Sequence, residues 1–206
     1  MTHDASEIVY ILHGLGANRL LMGTLAARIA RHGYRVINWG YASWQRNVEH
    51  HAARFARELT RADADASVSR INVVAHSMGG IVTRQALLYG VPRKFGRFVM
   101  VAPPNKGSRV GKVFAPYLGR LCPPITQLST LPDSYVNRLP PPEGVEFGVI
   151  AGERDLMVGP GCTRLDGMAD HTEFPCMHTS LIFRRDVADA ISRFLEDGKF
   201  NGKPSA

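Results

Sequence analysis

Short continuous apolar runs alternate along this chain with segments of helical spacing, and that alternation restricts its possible folds more than any other feature. Glu7–Leu12 is apolar almost throughout rather than at every second position, as expected of a strand covered on both faces of a sheet. A glycine-bearing turn, His13-Gly14-Leu15-Gly16, follows it. Leu20, Leu21, Leu25, Ile29 and Ala30 then mark one face of a helix that stops at Gly33. The same reading predicts strands over Tyr34–Trp39, Ile71–Ala75, Arg97–Ala102, Glu146–Ala151 and His171–Phe174. Helices are predicted over Val48–Thr60, Met78–Tyr89 and Arg184–Leu195. Strands separated in this way by amphipathic helices imply an α/β fold: a doubly wound, mostly parallel sheet of about six strands joined by right-handed crossovers.

A length of 206 residues suits a single domain spanning 1–206. One stretch breaks the pattern. Residues 103–142 hold nine of the 13 prolines, a density that no central strand tolerates. Yet Val110, Val113, Phe114, Tyr117, Leu118 and Leu121 recur there at helical spacing. We read 103–145 as a cap- or lid-like insertion on the sheet rim, with a short helix distorted near Pro116. Its apolar face either covers an acyl pocket or packs on the core.

The charge balance of +7 comes from scattered basic residues. With no basic block, zinc-finger spacing or aromatic RNA-binding signature, no nucleic-acid partner is expected. A basic surface leaves open a transient contact with an anionic interface. The longest apolar runs fall far short of the roughly 20 residues that a spanning helix needs, so stable membrane insertion is not expected. The first residues lack the basic start and apolar core of a secretory signal, which favours a cytoplasmic location. Cys122, Cys162 and Cys176 are an odd count without C-x-x-C spacing and read as reduced structural thiols.

The chemistry concentrates at Ala75-His76-Ser77-Met78-Gly79-Gly80, between a predicted strand and a predicted helix. This setting matches the sharp turn of G-x-S-x-G motifs, in which a strained serine presents its hydroxyl at the C-terminal edge of the sheet. Close approach of strand and helix needs small residues two positions either side of the serine. Gly79 meets that need, and Ala75 stands where the usual pattern has glycine. The turn also aims the Met78 N–H, at a helix N-terminus, toward a developing oxyanion. A second backbone donor is expected from the loop after the first strand, with Leu15 N–H the candidate. His13 is read as structural within that loop, and His76 as packing or hydrogen-bonding in the turn.

With these residues in place, the chain resembles the α/β-hydrolase superfamily, in particular its lipase and esterase branch. The strand-H-G-x-G loop and A-H-S-M-G-G look like small bacterial lipases. Val101-Ala102-Pro103-Pro104-Asn105-Lys106-Gly107-Ser108 is similar to the T-P-x-x-G-S segment of lipases and inositol-deacylase-like hydrolases, with Ala102 and Pro103 departing in detail. The resemblance covers roughly residues 7–195 and implies the order serine, acid, histidine. Asp155, after the apolar strand and turn Val149-Ile150-Ala151-Gly152, is the expected acid, with Glu153, Asp166 and Asp170 as alternatives. His178, between the last strand and the terminal helix, is the expected base, with His171 as the alternative. Tyr41 and Trp44, together with Met78, are candidate acyl-pocket residues or ordinary rim packing.

His3, His32, His50 and His51 lie on other elements, and adjacent helical rings such as His50 and His51 diverge too far to chelate one metal. Neither a metal nor a cofactor is expected. The resemblance implies a carboxylic-ester hydrolase that works through an acyl-enzyme on a small-molecule or lipid ester. A thioesterase, amidase, peptidase or acyltransferase would use the same three side chains. A hydrolase-fold binding protein without catalysis is the alternative from a different class. Oligomeric state is not legible.

Overall fold

The computed structural model of the chain describes residues 6–201, so both ends of the predicted 1–206 domain, including His3, lie outside the described residues. Six strands form one sheet: β1 (Glu7–Leu12), β2 (Arg35–Trp39), β3 (Arg70–His76), β4 (Phe95–Val101), β5 (Glu146–Gly152) and β6 (Asp170–Phe174). Their order is β2-β1-β3-β4-β5-β6, and every pairing is parallel. The expected doubly wound sheet is therefore present, and its pairs are parallel throughout.

Both faces are covered, as an all-parallel sheet requires. Side chains alternate along each strand, so Tyr10, Val73, Met100 and Val149 enter one apolar cluster. Ile11, Val74, Val101 and Ile150 enter the other. The first cluster packs against α2 (Val48–Ala64) and α3 (Met78–Leu87), the second against α1 (Arg19–Arg31) and α8 (Arg185–Asp197). Helix starts follow local chemistry. The Asn18 and Asn47 side chains accept the Leu21 and His50 N–H groups, capping donors that the first turns of α1 and α2 leave without intrahelical partners. Gly198, in the left-handed region at φ 76°, ends α8.

The insertion folds into three short helices, α4 (Arg109–Leu118), α5 (Pro123–Gln127) and α6 (Tyr135–Arg138). Pro116 lies inside α4, at the place where the pattern predicted distortion. The side chains of Phe114 and Leu118, two of the positions that carried that pattern, lie outside those described. The segment both packs and lines. Leu128, Val136 and Leu139 join the core, while Val110, Gly111 and Ile125 wall a cavity at the sheet's C-terminal edge. Four elements had no sequence counterpart: α5 and α6, α7 (Pro160–Thr163) and a 3-10 helix over Thr179–Phe183, all too short to show a periodicity.

Register brings the functional loops to one edge. Leu12 lies opposite Ala75, His76 opposite Val101, and Val101 opposite Ile150. After β1 the chain runs outward to β2 and then crosses to β3 on the other side. The loops after β1 and β3 therefore leave the sheet side by side at the reversal point, where open α/β sheets form their crevices.

Candidate active site

Ser77 stands between β3 and α3 with φ 54° and ψ −124°, a conformation that L-residues adopt only under strain of about 1–3 kcal/mol. Neighbouring strands hold it there. Its N–H donates to the Val101 carbonyl at 2.8 Å, and its own carbonyl accepts the Gly80 N–H at 2.9 Å. Two glycines make the surrounding approach possible. A Cβ on Gly14 would lie 2.8 Å from the Ser77 Cβ, and one on Gly79 would lie 2.8 Å from the His13 carbonyl oxygen. The loop after β1 thus touches the serine turn directly. Met78 opens α3, where helix geometry leaves the first N–H groups without intrahelical acceptors.

His178 follows β6, and its Nδ1 lies 2.5 Å from Asp155 Oδ2, with both side chains buried. Asp155 is held in turn. Its other oxygen accepts the N–H groups of Met157 and Val158, each at 2.8 Å, so the carboxylate is fixed at both ends. Ser77 and His178 line one cavity of about 250 Å³, with Gly14, Leu15, Val110 and Ile125 among the remaining wall. Of the sequence candidates, Ser77, Leu15 and His178 line one cavity, Asp155 is bonded to His178, and Met78 follows Ser77 at the start of α3.

Other candidates lie elsewhere. Tyr41 is buried behind the loop: its ring stacks on His13 at 4.3 Å between centroids, and its hydroxyl donates to the His13 carbonyl at 2.7 Å. It lines no part of the cavity and instead braces the loop that carries Leu15, and the Met78 side chain is fully buried in the core. Trp44 is exposed and borders an adjoining groove with Leu121, Cys122 and Ile125. His171 meets Thr163 Oγ1 through Nε2 at 3.3 Å and does not line the cavity. Glu153 and Asp166 are exposed, and Asp170 accepts the N–H groups of His171 and Phe200. All three cysteines are free thiols. Among the described residues, no group of three His, Cys, Asp or Glu side chains is placed to hold a metal ion.

Two histidines behave as the loop and turn suggested. His13 Nδ1 donates to the Gly14 carbonyl at 2.9 Å, and its Nε2 accepts the Tyr41 N–H at 3.3 Å. His76 Nε2 donates to the His178 carbonyl at 3.3 Å, tying the serine turn to the histidine loop. Burial, reinforced by the neighbouring His178 ring, pushes the His76 pKa down to about 3, which keeps this imidazole neutral.

Three contributors escaped the sequence reading. The Met157 and Val158 amides that grip Asp155 are backbone groups, invisible to residue type. Arg84, fully buried in α3, donates to Asn105 Oδ1 at 3.0 Å and to the Leu139 and Pro140 carbonyls at 2.5 and 3.1 Å. It pins the end of the insertion to the helix behind Ser77. A lone cation in the apolar run Met78–Leu87 was the available signal. Asn105 extends the chain of contacts by donating to the Thr163 carbonyl at 2.7 Å.

One consequence concerns acid. His51 is buried against Tyr41, ring centroids 4.7 Å apart, and neither ring nitrogen reaches a partner in hydrogen-bonding geometry. Desolvation, with His50 and Arg54 adding positive charge nearby, pushes its pKa down to about 4; the Arg46 carbonyl offsets part of that cost. The unfolded chain, with a histidine pKa near 6.5, therefore binds more protons than the folded one between these values. Stability is full above about pH 6.5 and falls as the pH drops toward 4. Thermal melts should show His51→Leu losing less Tm than the native chain across that interval, with His76, His13 and His171, which burial also holds below the usual histidine range, accounting for the remaining decline.

The chain matches the alpha/beta hydrolase family over residues 9–197 and belongs to that family. Among solved structures, the mature lipase BlEst2 of Bacillus licheniformis superposes with a TM-score of 0.75 at 16% identity, covering 95% of this chain and 93% of that one. Lipase B of Aspergillus fumigatus gives 0.78 at 17% identity, covering 96% and 54%. The monoacylglycerol lipase of Paleococcus ferrophilus gives 0.67 at 14% identity, covering 94% and 95%. At such identities the likeness is one of fold. No curated protein matches the sequence.

Proposed function

We propose that this protein is a serine carboxylic-ester hydrolase of lipase or esterase type, acting through Ser77, His178 and Asp155. The observation that carries the reading is convergence. A serine held at positive φ and a histidine clamped on a buried carboxylate, from distant parts of the chain, share the wall of one mainly apolar cavity.

The steps follow from the geometry. With Nδ1 engaged by Asp155, Nε2 is the nitrogen available to take the Ser77 proton as Oγ attacks the acyl carbonyl. Asp155 keeps the imidazole in that tautomer and stabilises the cation it becomes. The Leu15 and Met78 N–H groups receive the oxyanion, each such donor being worth on the order of 3 kcal/mol. His178 then protonates the leaving alkoxide. Water, deprotonated by the same imidazole, releases the acid from the acyl-enzyme. The cavity walls supplied by Val110, Ile125 and Leu128 suit the hydrocarbon part of an acyl group.

The test is covalent. A fluorophosphonate probe should label the native chain at Ser77, and His178→Ala should slow labelling by at least about a thousandfold. Labelling that survives His178→Ala but is lost in His171→Ala would assign the base to the other histidine and sink this mechanism. Hydrolysis profiles over acyl-chain length, thioesters and amides then discriminate the ester reading from its relatives on the same side chains.

A further inference from the structure

The Ser77 cavity opens into two grooves at different walls. One, bordered by Trp44, shares Leu15, Gly16 and Ile125 with the cavity. The other, of about 220 Å³, shares Met157, His178 and Thr179 with it and continues past Arg154, Met177 and Ser180. No residue belongs to both grooves. Chemistry tells them apart. Under the reaction assigned to Ser77, the departing ester oxygen takes its proton from His178 Nε2, so the leaving alcohol must lie against the imidazole. Its remainder then extends into the groove that His178 itself walls, a space with room for a short alcohol. The acyl chain is left the apolar side, along Ile125 toward Trp44.

The two grooves differ in character. No charged side chain lines the Trp44 groove. The His178 groove carries Arg154 and the hydroxyls of Thr179 and Ser180. The Arg154 backbone is fixed, its N–H donating to the Cys176 carbonyl at 3.2 Å in the turn that also presents Asp155. Its side chain is exposed and, among the described residues, forms no hydrogen bond and no ion pair, not even with its sequence neighbour Glu153. Acids of the flanking segments are committed elsewhere: Asp155 to His178 and two amides, Glu173 to Arg164, and Asp186 to Arg184. The Thr179 and Ser180 hydroxyls likewise have no bonded partner among the described residues. A guanidinium and two hydroxyls, all donors without acceptors beside an emerging alkoxide, form a receptor for an anion.

We propose that Arg154 selects esters whose leaving alcohol carries an anionic group, a phosphate or a carboxylate a few bonds from the ester oxygen. Ser77 Oγ forms its bond to the acyl carbon, and the bond from that carbon to the alcohol oxygen breaks. That oxygen takes the proton that Ser77 gave to His178, and the anionic group stays on the departing alcohol throughout. Arg154 meets this group and not the reacting atoms, so its contribution reaches the rate as binding energy from a remote part of the substrate. With two hydroxyls beside the guanidinium, a phosphate finds more donors for its oxygens than a carboxylate needs. The assignment of sides rests on the ester reading given above, and the experiment separates the two.

The experiment uses butyrate esters that share one acyl group and differ only in the alcohol: 2-phosphoethyl, 3-carboxypropyl, the neutral 2-methoxyethyl and the cationic 2-trimethylammonioethyl. For an anionic ester kcat/KM should exceed that of the methoxyethyl ester by about tenfold or more, with the cationic ester slowest. The faster of the two anionic esters identifies the group. Arg154→Met should bring the ratio of anionic to neutral turnover to within about twofold of unity. Lys112→Met removes one positive charge from α4 outside both grooves and should keep the native ratio and rate. Calorimetry on the Ser77→Ala chain reads the same preference without chemistry. There the 2-phosphoethyl or the 3-carboxypropyl ester should bind about tenfold tighter than the methoxyethyl ester, and adding Arg154→Met should abolish the difference. That binding difference without turnover of any ester would remove the Ser77 reaction and leave the Arg154 assignment standing. Equal affinity for the anionic and neutral esters, an anion preference that survives Arg154→Met, or an equal loss of preference in Lys112→Met would each overturn the proposal.

Discussion

Replacing Ser77 by alanine is expected to lower kcat for a short p-nitrophenyl ester by between about ten-thousand-fold and a million-fold. Thermal unfolding should be almost unchanged, because the hydroxyl forms no part of the packed core. Glycine at the same position gives the more telling result. It removes the oxygen and also relieves the positive φ of 54°, so Ser77→Gly should be inactive yet more stable by about 1 kcal/mol, the relief exceeding the added chain entropy. In a chain of this size that corresponds to a Tm rise of about 2–4 °C. A glycine variant that melted below the native protein would show that the serine conformation carries no strain, and a fully active alanine variant would remove Ser77 from the chemistry.

The second large effect belongs to Asp155→Asn. Asparagine is nearly isosteric, and its carbonyl oxygen can keep the Met157 and Val158 N–H bonds. Its amide then faces His178 Nδ1 with a donor where an acceptor stood, forcing the imidazole to carry its proton on Nε2. The nitrogen that should accept from Ser77 is thereby blocked, and kcat should fall by about ten-thousandfold. KM should change little, since the carboxylate lies behind the histidine and does not line the cavity. Near-native kcat in the Asp155→Asn chain would mean that another acid orients His178, and Glu153→Gln would be the next variant to assay.

Much of the fold was legible because a parallel sheet writes itself plainly. Strands buried on both faces, such as Glu7–Leu12 and Glu146–Ala151, leave continuous apolar runs, and amphipathic crossovers separate them. Boundaries shifted by a few residues where a helix tightens before it ends, as beyond Leu87, where Leu88, Tyr89 and Gly90 bond back three positions. The positions gathered at the cavity were legible for a different reason: each follows a strand end or opens a helix, so topology alone sends it to one edge. What could not be read depended on tertiary company. Tyr41 looked like a rim aromatic until His13 was found stacked beneath it. Arg84 is a cation by type, yet carbonyl oxygens from the insertion solvate it inside the protein, partners that no residue pattern announces. The left-handed Ala102, φ 49°, had no glycine to announce it. It is held by its N–H bond to the Ile150 carbonyl at 2.7 Å.

The link from His76 to the His178 carbonyl joins the turn after β3 to the loop after β6, and α8 is secured separately by Arg97, which donates to the Leu195 and Glu196 carbonyls. During synthesis Ser77 therefore leaves the ribosome well before the loop that carries His178 and the helix that covers that face of the sheet. A chain that stops short of α8 would leave the second apolar cluster uncovered and Arg97 without the Leu195 and Glu196 carbonyls.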